Sequence, residues 1–260
     1  MRIISCNFLH EQEQHSTISR NWENRREFLS EVILKRKPDI ICCQEVSWEQ
    51  RKYMQSKLGE ECFGAYGLEC CSSFRHPVNT IFFDKRQFEL VTAGGYWLSK
   101  TPHIFGSKSW DNVPRVANYV VLRGTNGCFR VLNMHLAPGP SIIRENEVKV
   151  ILDECTAWSD MPQIITGDTN AKRSHLAMKS FFEAGWRDSF YEATGIEEPG
   201  ITHHNFEGEA FKGNVGGKLD WILINESFEA TNAEIIKDHK GDIYPSDHFP
   251  ISADLLYKKA

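Results

Sequence analysis

Short apolar runs recur along this chain, and several of them stop at a residue that packing does not explain. Ile3-Ile4-Ser5-Cys6 ends in Asn7, and Ile40-Ile41-Cys42-Cys43-Gln44 ends in Glu45. Val131-Leu132-Asn133-Met134 ends in His135, and Ile164-Ile165-Thr166-Gly167 leads into Asp168-Thr169-Asn170. Lys218-Leu219 opens on Asp220, and Ser246-Asp247-His248 precedes the last run. Runs of this length are too short for buried helices and read as strands. They predict strands over 3–7, 39–45, 78–83, 115–122, 128–135, 163–167, 219–224 and 251–256. If the polar ends share one edge of a sheet, Asn, Glu, His and Asp side chains converge in one pocket. Such a gathering is costly unless its members bind one another, water or an ion.

Helical patterns fall between some of these runs. Trp22, Phe28, Leu29, Val32 and Ile33 mark one apolar face, and Val148, Ile151, Leu152, Cys155 and Trp158 mark another. A third helix is predicted to start at a Ser174 cap and end near Gly185. The mixture lacks regular β-α-β-α alternation, so a β-sandwich with helices on its outer faces is expected. No repeat and no Pro/Gly/Ser-rich linker divides the 260 residues, which predicts a single domain over 1–260.

Each polar strand end has an ordinary explanation when taken alone. Asp168 and Asn170 are good turn residues, and Asn7 is a plausible strand terminator. His135 fits a half-buried core histidine, and Glu45 fits a cap or an ion-pair partner. Those explanations must all hold independently, whereas one shared pocket accounts for every position together.

The local words around these residues resemble the endonuclease/exonuclease/phosphatase superfamily. Pro38-Asp39-Ile40-Ile41-Cys42-Cys43-Gln44-Glu45-Val46 is similar to its strand ending in Gln-Glu, and Asn133-Met134-His135-Leu136 to its Asn-Thr-His-Leu. Gly167-Asp168-Thr169-Asn170 resembles Gly-Asp-Phe-Asn, and Lys218-Leu219-Asp220-Trp221-Ile222 resembles Arg-Ile-Asp-Tyr-Ile. Ser246-Asp247-His248-Phe249-Pro250 resembles Ser-Asp-His-x-Pro. Further segments look like those of compact bacterial members nearer the deadenylase side: Tyr96 to Pro102, Trp110 with Val113-Pro114-Arg115-Val116-Ala117, and Thr202-His203-His204-Asn205-Phe206-Glu207-Gly208. His203 and Asn205 stand where the family has an aromatic and a glycine, Lys218 replaces an arginine, and Ala137-Pro138 replaces a frequent Asp-His.

The resemblance implies an α/β fold, a four-layer sandwich of two packed mixed β-sheets flanked by helices. It also implies hydrolysis of a phosphate ester by in-line attack of water, with Mg²⁺ (or Mn²⁺) as cofactor. Mg²⁺ is hard, prefers oxygen and is held by few carboxylates. Glu45 is the leading metal ligand, with Asn7 and Asp247 completing the metal neighbourhood. Asp168 is expected to orient or deprotonate the water, and Asn170 to donate an amide N–H to the phosphate. His135 and His248 are expected to bond phosphate oxygens, with Asp220 orienting His248. Arg115, His204 and Trp110 are the candidate substrate contacts. Zinc is the less favoured metal, because these side chains offer mainly oxygen.

Composition narrows the substrate a little. The formal net charge is −5 and no Lys/Arg-rich stretch is present, which argues against a tight duplex binder. The expected substrate is a small phosphate ester, a nucleotide or a single-stranded nucleic acid end. An abasic-site or general DNA endonuclease is the enzyme alternative, and a non-catalytic phosphate-binding member is the alternative from another class. Nowhere do ~20 apolar residues run together, so no membrane partner is expected. Eight cysteines without a C-x-x-C spacing read as reduced, mostly buried thiols of a cytoplasmic protein.

Overall fold

A computed structural model describes residues 1–10, 20–68, 78–213 and 216–258. In chain order the elements are β1 (Arg2–Asn7), α1 (Trp22–Leu34), β2 (Ile40–Val46), α2 (Trp48–Leu58), β3 (Phe63–Tyr66) and β4 (Val78–Asp84). There follow β5 (Glu89–Trp97), β6 (Val116–Gly124), β7 (Gly127–His135), α3 (Ser141–Thr156), β8 (Gln163–Asp168) and α4 (Leu176–Glu183). The chain finishes with β9 (Arg187–Asp188), α5 (Ser189–Thr194), β10 (Asp220–Ile224), β11 (Phe228–Ile235) and β12 (Ile251–Tyr257).

Two six-stranded sheets form, in the orders β11-β12-β1-β2-β4-β3 and β5-β6-β7-β8-β10-β9. Each is mixed: β1–β2 and β7–β8 are parallel pairs, and their other pairings are antiparallel. Side-chain alternation explains the continuous apolar runs. Ile40 and Cys42 of β2 point into the space between the sheets, where they meet Val131, Ile164 and Ile222. Their neighbours Ile41 and Cys43 point outward onto Trp22, Leu29 and Met54 of α1 and α2. On the far side Leu132, Met134 and Ile165 pack against Val148 and Ile151 of α3 and Phe181 of α4. A strand buried on both faces is mainly apolar, which is what β2, β7 and β8 show apart from hydrogen-bonded polar residues such as Gln44, Asn133 and Thr166. The result is the expected four-layer α/β sandwich.

Some elements differ from the sequence reading. The third helix starts later than expected: His175, not Ser174, is the N-cap of α4. The helix read from Val148 begins earlier, at Ser141, and Trp158 lies beyond its end. Helix α2 is polar along most of its length and held at its start by a capping box between Ser47 and Gln50, so no apolar stripe announces it. Cys6, Cys42, Cys43 and Cys155 are buried free thiols, Cys62 and Cys128 are half-buried ones, and Cys70-Cys71 lies outside the described residues. Among the described residues no helix is long and apolar enough to cross a membrane.

Strand polarity brings the polar ends together. Asn7 of β1 pairs with Gln44 of the parallel β2, and His135 of β7 pairs with Asp168 of the parallel β8. Strand β10 runs antiparallel to β8 with Asp220 opposite Asp168, so its first residue reaches the same edge. Strand β12 runs antiparallel to β1, which brings the preceding 246–248 loop there as well. Just below that edge the sheets are cross-linked by buried polar groups. Gln44 Nε2 donates to Asn133 Oδ1 (2.7 Å), and Asn133 Nδ2 donates to the Cys43 and Thr80 carbonyls (2.8 and 3.2 Å).

Candidate active site

The edge opens into a cavity of about 650 Å³ whose walls include His10, Glu45, Arg115, His135, Asp168, Asn170, His203, Asp247 and His248. Local backbone geometry aims several of these side chains. The β2–β4 register shifts between Cys43 and Val46, and Glu45 sits in that irregularity at φ +53°. A left-handed conformation is uncommon for glutamate and typical of functional positions. Asn170 (φ +48°) takes the same conformation, which asparagine tolerates well. Gly167 precedes Asp168 at φ +148°, and a Cβ there would lie 2.0 Å from the Met134 carbonyl oxygen. Only glycine fits that position.

Asn7 links the two principal carboxylates. Its Nδ2 donates to Glu45 Oε1 (3.2 Å) and to Asp168 Oδ2 (3.1 Å), while its Oδ1 accepts from the Leu9 N–H (2.9 Å). Asn7 therefore enters the site as a donor between acids, and offering its oxygen to a cation would require the amide to turn over. Glu45 Oε2 lies 2.7 Å from His10 Nδ1. Burial works against the charge of Glu45, but the His10 bond and the His135 and His10 fields outweigh it and hold the carboxyl well below its usual range.

Asp168 Oδ1 accepts the Asn170 N–H (2.8 Å), and its Oδ2 lies 3.5 Å from His135 Nε2 and 3.7 Å from His248 Nε2. The Asn170 amide nitrogen contacts His135 Nε2 (3.1 Å) and donates to the Leu136 carbonyl (2.9 Å), so it anchors His135. This differs from the expectation that Asn170 offers its N–H to a phosphate. Asp220 is buried, and its Oδ2 lies 2.9 Å from His248 Nδ1, which leaves Nε2 facing the cavity. Burial alone would lower the basicity of His248, but the adjacent Asp220 and Asp168 charges raise it well above the ordinary imidazole value. His203 pairs backbone-to-backbone with His248 and places Nε2 3.9 Å from Asp247 Oδ2.

The loops that carry these groups share a fastener. The guanidinium of the buried Arg25 in α1 donates to the Phe8, Leu9 and Pro245 carbonyls (2.6, 2.5 and 3.0 Å). Ser246 Oγ donates to the Asn7 carbonyl (2.6 Å). The segment beyond β1 is thereby tied to the segment before β12.

The expected substrate contacts fare unequally. Arg115 lines the cavity, but its Nε and Nη2 are engaged by Asp111 (3.0 and 2.8 Å). Glu147 stands behind it, 3.7 Å away, and burial pushes that carboxyl up to about 7. Trp110 is half-buried and lies outside the cavity wall. His204 is fully buried, stacked on Phe249 at 3.9 Å, and accepts the Gly208 N–H at Nδ1 (3.3 Å). Burial lowers it to about 3, so it is a neutral core residue and its neighbour His203 is the one at the cavity. Lys218, the departure from arginine, is buried against Asp188 (2.6 Å) and the Trp221 ring. The sequence reading missed His10, Arg144 and His175, which also line the cavity.

The donor set suits a hard divalent cation. Glu45 and Asp247 offer carboxylate oxygens at the rim, and Glu45 is held ionised. Nearby groups with the spacing of a cation site are His203, Asp247 and His248, and also Asp168, Asp220 and His248.

Comparison with known proteins follows the same outline. The sequence pattern described as Endonuclease/Exonuclease/phosphatase family matches residues 6–248. Nocturnin of Xenopus laevis is 25% identical over 265 residues, covering 92% of this chain. The chain spans 66% of that relative's length. A mannosyl-6-phosphatase of Bacteroides thetaiotaomicron superposes with a TM-score of 0.86 at 22% identity, covering 99% of this chain and 100% of the other. TDP2 of D. rerio complexed with a single-strand DNA product superposes with a TM-score of 0.77 at 16% identity, covering 98% of each chain.

Proposed function

The chain belongs to the endonuclease/exonuclease/phosphatase family and is a hydrolase of phosphate esters, and on that premise we propose that it is a Mg²⁺-dependent phosphoesterase acting on a small phosphorylated compound or a single-stranded nucleic acid end. The observation that carries the reading is the linkage of Glu45 to Asp168 through Asn7, with His248 beside Asp168.

Phosphate esters resist hydrolysis because their oxygens repel a nucleophile, so catalysis consists of positioning water and offsetting charge. Glu45 and Asp247 would hold the cation, with Asn7 contributing its oxygen if its amide turns over. Bound there, Mg²⁺ would neutralise phosphate charge as a Lewis acid. Asp168 is the group best placed to orient a water and take its proton: it is buried, fixed by Asn7 and the Asn170 backbone, and flanked by two imidazoles. His248 presents a charged Nε2–H to a phosphoryl oxygen, with Asp220 fixing the ring from behind. His135 accepts the Asn170 amide N–H at Nε2, which leaves Nδ1, on the Glu45 side, as its hydrogen-bond donor toward a bound phosphate. His10 braces Glu45. The free thiols of Cys6, Cys42, Cys43 and Cys155 suit a reducing cytoplasm.

The test is phosphate release from a panel of sugar phosphates, nucleotides, oligo(A), single-stranded DNA and abasic duplex. With EDTA all hydrolysis is expected to stop and to return with excess Mg²⁺ or Mn²⁺. Undiminished turnover in chelator contradicts the metal-dependent mechanism, and preference for abasic duplex moves the assignment to the DNA endonuclease alternative.

A further inference from the structure

The cavity has a second wall that the hydrolytic groups leave unused. Arg144, in the first turn of α3, lines it and is 5% exposed. Its Nη1 donates to the Ala137 and Gly139 carbonyls (2.9 and 2.6 Å), which fixes the guanidinium in place. Nε is buried without any partner, and Nη2 has none among the described residues. Glu147, Asp168 and Glu145 act on its charge from nearby, yet none of them closes an ion pair with it. Arg115 differs, because Asp111 already holds it.

A largely buried guanidinium with unpaired N–H groups is costly unless an acceptor occupies it. The surroundings favour a negatively charged occupant. His175 lines the same cavity and is the N-cap of α4, an eight-residue helix whose start has no side-chain cap. Helix α3 has Pro140 as its N-cap, again without a side-chain cap. Open helix N-termini carry partial positive charge and unmet N–H groups.

We propose that Arg144 and His175 form an anion subsite that receives a second phosphate or carboxylate of the substrate while the hydrolytic groups take the scissile phosphate. This rests on the phosphoesterase reading and narrows its substrate class to compounds with two anionic groups, such as sugar bisphosphates, nucleoside bisphosphates or the adjacent phosphate of an oligonucleotide. A guanidinium fixed through Nη1, with Nε enclosed and Nη2 left unpaired, suits one charge-assisted hydrogen bond from Nη2 to a phosphate or carboxylate oxygen.

The experiment is calorimetric titration of the full chain in EDTA, where no turnover is expected. The probes are matched pairs that differ by one phosphate: glucose 6-phosphate with glucose 1,6-bisphosphate, and AMP with adenosine 3′,5′-bisphosphate. In at least one pair the second phosphate is expected to tighten binding about tenfold or more, the scale of one charge-assisted hydrogen bond. Arg144→Gln should remove that gain while leaving the monophosphate Kd within about twofold. His175→Gln, which does not touch the Ala137–Gly139 segment, should reduce the gain with an unchanged melting temperature. Absence of a gain in both pairs, or a gain that survives both substitutions, overturns the subsite and makes Arg144 solely a loop fastener. Because the readout is binding without metal, this failure is separate from loss of Mg²⁺-dependent hydrolysis.

Discussion

At the scale of single residues, the site is a chain of contacts from His10 through Glu45, Asn7 and Asp168 to His248 and Asp220. Each of Glu45→Ala, Asp168→Ala and His248→Ala should lower kcat by at least ~10²-fold, the scale of one positioned acid, base or charge-stabilising group. Steady-state rates on the best substrate of the panel decide this, and near-wild-type turnover in any two variants defeats the assignment. Asp220 yields a pH prediction. His248 titrates above the ordinary imidazole value, so its charged form persists above that pH and is lost as pH rises through the raised value. Asp220→Asn removes the largest stabilising charge, so the alkaline limb of the kcat/KM profile should move to lower pH. An unmoved limb would show that His248 ionisation does not shape the rate.

Sequence legibility at this scale followed chemistry. Asn7, Glu45, His135, Asp168, Asp220 and His248 interrupt apolar runs, so burial itself singles them out. His10, Arg144 and His175 sit in a loop, an early helical turn and a cap, where polar residues are ordinary, and nothing marked them. The choice between His203 and His204 was lost by one position. Neighbours in an extended bridge face opposite ways, and the pairing of His203 with His248 decides which of them meets the cavity.

At the scale of elements, strand direction creates the site. Parallel pairs β1–β2 and β7–β8 deliver their C-terminal ends to one edge, and antiparallel β10 delivers its first residue there. Double-sided burial made the inner strands readable. The edge strands β3, β9 and β11 were not, and β5 is exposed over its first residues, so none offers an unbroken apolar run. The turn from β8 into the site depends on Gly167. Gly167→Ala would drive Cβ into the Met134 carbonyl of β7 at a backbone angle alanine avoids. We expect a loss of stability of roughly 3 kcal/mol or more, in the range of strained backbone substitutions with steric overlap. Thermal denaturation checks this, and a melting temperature within a degree of wild type would contradict the geometry.

At the scale of the whole molecule, the two sheets enclose a core lined by Ile3, Ile40, Val131 and Ile164 and carry polar cross-links near one rim. A rigid frame of this kind holds functional groups more firmly than free loops would. The 8–10 and 245–248 segments lack regular structure, but Arg25 and Ser246 tie them to the frame. An overall charge of −5 does not preclude anion recognition at Arg144, since recognition depends on the local field.

The central claim of the proposed function is that Glu45 at the end of β2 and Asp247 in the loop before β12 would hold one hard cation beside the water-activating group. Anomalous difference density from crystals soaked in Mn²⁺ tests it most directly. The account predicts a peak about 2.0–2.3 Å from a Glu45 carboxylate oxygen, within the cavity shared with Asp168 and Asp247. A peak that ignores Glu45, or none at saturating Mn²⁺ in an active crystal, would contradict it.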